Sequence, residues 1–75
     1  MKSEKELFNL ARRCVVLFDY YVKAVIDYDE LERQINKIKN TILENGYDND
    51  KFIEYRELCK NMTIEECREF IKTLN

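Results

Sequence analysis

A chain of 75 residues makes one small domain at most, and a core that size is marginal unless a disulfide, a metal or a partner chain supplements it. Charge is nearly balanced, with 13 Lys and Arg against 15 Asp and Glu and no histidine, and the two signs are interspersed without a basic tail. That distribution argues against non-specific binding to nucleic acid or to an anionic membrane, both of which need a cationic surface.

The cysteines are Cys14, Cys59 and Cys67, an odd number, and the polar, acidic start of the chain does not read as a secretory leader. Free, buried thiols in a reducing, cytoplasmic setting are the expectation. The most apolar stretch, 14–28, is shorter than a membrane span and holds Asp19 and Lys23, so no membrane insertion is expected. Abundant Lys, Asn, Ile and Tyr point to an AT-rich genome, such as that of a low-GC bacterium, a phage or another virus. With no proline and a single glycine, almost nothing in the composition breaks a helix.

The first helix announces itself at Ser3, where Ser3-Glu4-Lys5-Glu6 has the form of a capping box. From there apolar residues recur on two interleaved heptad series. One is Leu7, Cys14, Tyr21, Tyr28, Ile35 and Ile42; the other is Leu10, Leu17, Ala24, Leu31 and Ile38. Alternation of period two is absent, so the fold class is all-α. Between Leu7 and Ile26 the flanks are apolar as well, and so wide a stripe must be covered from more than one side. After Asp29 the stripe narrows to the heptad positions, as for a single neighbouring helix.

Unbroken heptad phase, and the lack of a glycine, asparagine or proline stop, predict one long helix over about 4–45. Its weak point is near 27–29, where Asp27 can cap a second helix with Ile26 and Leu31 at staple positions. A continuous rod of that length would reach ~60 Å, more than the remaining chain can cover, and so implies self-association as a homodimer. Gly46 ends the run. A helix over about 50–60 follows, capped by Asp48 or Asp50, and a last one over about 64–74 starts at the capping box Thr63-Ile64-Glu65-Glu66.

Catalysis lacks its usual parts. There is no histidine, and the lone serine, Ser3, is engaged as a cap. The cysteines lie on apolar faces, where burial disfavours the thiolate that a nucleophile needs. No Cys-x-x-Cys pair suggests zinc, and Asp48-Asn49-Asp50 lacks the glycine and spaced ligands of a calcium loop. No catalytic residue, metal or cofactor is therefore assigned.

Two readings of function remain. The first is a small binding module, an adaptor, regulator or inhibitor of the kind a phage or mobile element encodes. It would act on another protein, or on a second copy, through Phe18, Tyr20, Tyr21, Tyr28, Leu31, Ile35, Ile38 and Ile42. Tyrosine on such a stripe joins apolar area to a hydroxyl that prefers a wet edge, a combination common at interfaces. The alternative is a dimeric DNA-associated regulator contacting phosphates through Arg12, Arg13, Arg33, Lys37 and Lys39. It is disfavoured because acidic residues neighbour those bases, and the last helix opens with Glu65 and Glu66 where a reading helix would carry basic or amide groups.

Overall fold

A computed structural model describes residues 3–74 and contains four helices, α1 (Glu4–Val22), α2 (Tyr28–Glu44), α3 (Asn49–Lys60) and α4 (Ile64–Ile71). The expected all-helical class holds, and no strand occurs among the described residues. Residues 1, 2 and 75, which belong to the expected domain, lie outside that range.

The long first helix is corrected: the chain turns through 23–27, and the hairpin reading is the one it adopts. Ala24 takes φ of 61°, the Val25 N–H reaches back to the Tyr20 carbonyl at 2.8 Å, and the Ala24 N–H reaches that of Tyr21 at 3.0 Å. This pair of bonds is a Schellman stop, which satisfies helix carbonyls that would otherwise be orphaned. Glycine usually fills the left-handed position; here alanine does. The end of α2 repeats the geometry with the expected residue. Gly46 has φ of 65°, the Tyr47 N–H bonds to the Ile42 carbonyl at 3.0 Å, and the Gly46 N–H bonds to that of Leu43 at 3.2 Å.

The helix starts are side-chain capped. Asp27 accepts from the Glu30 N–H at 2.8 Å and opens α2. Asp48 accepts from the Asp50 and Lys51 N–H groups at 2.9 and 3.4 Å and opens α3. The Thr63 capping box is complete in both directions. At Ser3 only half of the expected box forms: its oxygen accepts from the Glu6 N–H, while its own N–H donates to the Tyr47 hydroxyl at 3.4 Å. The last helix ends at Ile71, short of the expected 74, and Lys72 and Thr73 lie in turns.

The core gathers on the first half of α1, whose Leu7, Phe8, Leu10, Ala11 and Cys14 are all buried. Phe8 is at its centre, with the ring of Tyr55 on α3 edge-on at 5.5 Å and that of Phe70 on α4 at 5.0 Å. Aromatic contacts of this kind add about 0.5–1.5 kcal/mol beyond the area they bury. From α2 come Ile38 and Ile42, and from the other helices Phe52, Cys59 and Cys67. The wide stripe on α1 is thus covered from several sides, as its width requires. All three thiols are free and buried.

The molecule is flat, with extents of 34 × 29 × 16 Å. Packed helix axes lie about 8–10 Å apart, so the thin dimension admits about two helix layers. Beyond Cys14, α1 leaves that core, and its last turns and the start of α2 form an exposed corner.

Candidate functional site

Both α2 and α3 pack on α1, and they diverge from the 45–48 loop that joins them. Near the loop they share a cavity of about 390 Å³, lined by Ile42 and Leu43 from one and Phe52 and Ile53 from the other. Farther along they part. A cavity of about 190 Å³ then lies between α1 and α2, and one of about 470 Å³ between α1 and α3. Phe18 is a wall of both outer cavities, Lys39 joins the shared one to that on α2, and Arg56 joins it to that on α3. Linked through these shared residues, the three make one V-shaped groove, with α1 between the arms of the two outer lobes and absent from the lining of the shared one.

The groove is apolar with a cationic border. Arg56, Lys60 and Lys39 all lie near the Cys14 thiol beneath it. Burial pushes that thiol's pKa up, and the charge of Arg56, its hydrogen bond to the thiol and the charges of Lys60 and Lys39 pull it only part of the way back. Lys60 is ion-paired with Glu57 at 3.0 Å. Neither Lys39 nor Arg56 has an ion pair among the described residues, and the Arg56 Nε is buried without a hydrogen-bond partner. Of the carboxylates along the groove, Asp19 is paired with Lys23 at 3.0 Å, and Glu32 lies in the lobe beside Tyr28.

The residues expected at an interface divide into two groups. Phe18, Tyr20, Tyr21 and Tyr28 are exposed at the corner, where the rings of Tyr21 and Tyr28 meet edge-to-face at 6.1 Å. Leu31, Ile38 and Ile42 are buried within the chain itself, because the hairpin folds the narrow stripe of α2 onto α1. Ile35 is half-buried and lines the groove. At the corner, Val22 and Val25 are 80% and 65% exposed; both belong to the apolar flank of the stripe and neither was among the expected interface residues. Arg56 and Lys60 were also missed; their only signal is a spacing of one helical turn.

The five basic residues of the alternative reading are not gathered. Arg12 lies near Cys59, and with Arg13 borders a depression on α1. Arg33 is ion-paired with Glu30, and Lys37 lies near the same carboxylate. Lys39 faces the groove. The Glu30 pKa is lowered, first by the hydrogen bond from Gln34 and then by that from Arg33.

Among the described residues no group of three or more Cys, Asp or Glu side chains is placed to hold a metal ion, and no helix is long and apolar enough to cross a membrane. Cys59 and Cys67 adjoin across the α3–α4 junction, and the Cys59 thiol is pushed up to about 12, chiefly by burial and then by its neighbour. Set beside known proteins, the chain matches no family model, no curated protein and no solved structure.

Proposed function

We propose that this protein is a non-catalytic binding module, an adaptor, regulator or inhibitor, that works by offering the α1–α2 corner to another protein. One observation carries the reading. Phe18, Tyr20, Tyr21, Val22, Val25 and Tyr28, within eleven consecutive positions, are each at least 41% exposed. Single exposed apolar residues are ordinary on a protein surface, whereas neighbouring ones mark an interaction site; here the rings of Tyr21 and Tyr28 meet and Phe18 and Val22 line one cavity, while Tyr20 lies beside Arg13 and Val16. Four of the six are aromatic, and such rings add large contact area at low entropic cost. The stop that builds the corner holds a non-glycine residue in the left-handed region, and such strain concentrates where a backbone shape serves function. Self-association through the same corner is one form this binding takes.

The test is affinity capture from the source cell with the natural chain beside a V22D/V25D variant. Both side chains project into solvent, so the pair should shift stability by no more than ~0.5 kcal/mol each. A protein retained stoichiometrically by the natural chain and lost with the variant, or a dimer that the variant dissociates in sedimentation, supports the reading. Identical captures and an unchanged sedimentation coefficient end it.

A further inference from the structure

We infer that the V-shaped groove receives an acidic amphipathic α-helix of a partner protein, laid on α1 between α2 and α3. The inference rests on the proposed binding role and specifies its partner. Shape comes first. Two helices that share a floor and diverge leave a wedge, which a further helix fills by burying apolar side chains on both walls. This is the helix-in-groove mode, in which anchors at i, i+3, i+4 and i+7 enter successive lobes. The lobes on either side of Phe18 hold Val15 and Val22 on one side and Leu31 and Ile35 on the other, and so suit aliphatic or aromatic anchors. The groove runs without a break into the exposed corner through Phe18 and Val22, which belong to both.

Charge selects the occupant. In a chain of net charge −2, the groove's border carries three cations, Lys39 on one wall and Arg56 and Lys60 on the other, against two carboxylates, Glu32 and the Lys23-paired Asp19. Among the described residues, Lys39 and Arg56 have no ion pair, and the Arg56 Nε is buried without an acceptor. The Arg56 guanidinium is half-buried, with its Nε enclosed and a hydrogen bond to the Cys14 thiol, and a partly buried cation is stabilised when an anion approaches its exposed side. Carboxylates along both edges of an incoming helix would meet Lys39 and Arg56 together, while a lysine-edged helix would face like charge.

The experiment uses the full chain and three synthetic helices of about 18 residues, ~27 Å long and so within the molecule's span. One carries leucines at i, i+3, i+4 and i+7 with glutamates on the flanks, the second the same leucines with lysines, and the third the glutamates with serines for leucines. The expected result, at about physiological salt, is that the first binds on the order of 10-fold or more tighter than either other. K39E and R56E should each weaken the acidic helix by a similar factor, and together they should favour the lysine helix. Amide shift changes on binding should centre on Val15, Phe18, Ile35 and Lys39. Should R56E fail to fold, the exposed Lys39 carries the comparison alone. Equal binding of the acidic and basic helices, no binding of any, or shift changes elsewhere would overturn the inference. So would a dimer that K39E dissociates, since a second copy would then fill the groove. Capture that depends on Val22 and Val25 while no peptide binds would sink this inference and leave the corner reading standing.

Discussion

The hydroxyl of Tyr55 donates a 2.6 Å hydrogen bond to the Glu4 carboxylate, fastening the first turn of α1 to the middle of α3. The Tyr55 ring is 3% exposed and packs on Phe8 and Phe70, so its one polar atom must be satisfied at the surface edge. Tyr55→Phe keeps the ring and removes the donor. A loss of about 1 kcal/mol is expected, read as a lower urea midpoint at unchanged slope.

The same contact sets a pH dependence. Burial, and then the Glu4 carboxylate, raise the Tyr55 hydroxyl from 10.0 to about 12, so the folded state holds this proton more tightly than the unfolded chain. Its contribution is therefore complete below about pH 10 and is lost as pH rises toward about 12. Urea midpoints should fall through that window, and Tyr55→Phe should flatten the fall.

At the two Schellman stops, opposite substitutions should have opposite signs. Ala24→Gly relieves a Cβ in the left-handed region and should stabilise by about 0.5–1 kcal/mol, whereas Gly46→Ala should cost about 1 kcal/mol. Thermal unfolding of the pair checks both. A destabilised Ala24→Gly would mean that the alanine methyl contributes packing which its exposed position does not suggest.

Phe8 is fully buried where α1, α3 and α4 meet. Truncation to alanine costs about 3–5 kcal/mol. A chain of this length has roughly 4–11 kcal/mol in hand. Phe8→Ala should therefore lose about a third or more of the stability, read by circular dichroism as a thermal midpoint far below that of the natural chain, while Phe8→Leu lowers the midpoint less.

The thiols offer a fifth measurement. Cys14 and Cys59 are buried and their pKa values raised, so alkylation by iodoacetamide at neutral pH should be slow in the folded chain and complete for all three cysteines in denaturant. Cys14 should be modified before Cys59, because the cations above it favour its thiolate. Rapid labelling of Cys59 in the native state would contradict the burial described for it.

The heptad series misled at one point, and the reason is physical. Tyr21 and Tyr28 share a heptad phase although they belong to two helices, and their rings meet edge-to-face across the corner. Apolar spacing counts residues and does not register a turn that happens to preserve the count. The stop was hidden for a second reason, since Ala24 carries no compositional sign of a left-handed turn, whereas Gly46 does and was read correctly. At Asp27 the cap was legible and its strength was underweighted.

What the sequence determined by itself is local: helical class, from periodicity and the near absence of breakers, and the starts at Ser3, Asp48 and Thr63, where a short side chain meets a nearby N–H. Only tertiary structure decided whether the chain would bend at Ala24. The cost there is about 1 kcal/mol, while burying Leu31, Ile38 and Ile42 against α1 returns about 1.5–3 kcal/mol for each. The same fold brought Lys39, Arg56 and Lys60 to one groove from two helices. Spacing along a chain cannot show that convergence, because it depends on how helices cross and not on how residues repeat.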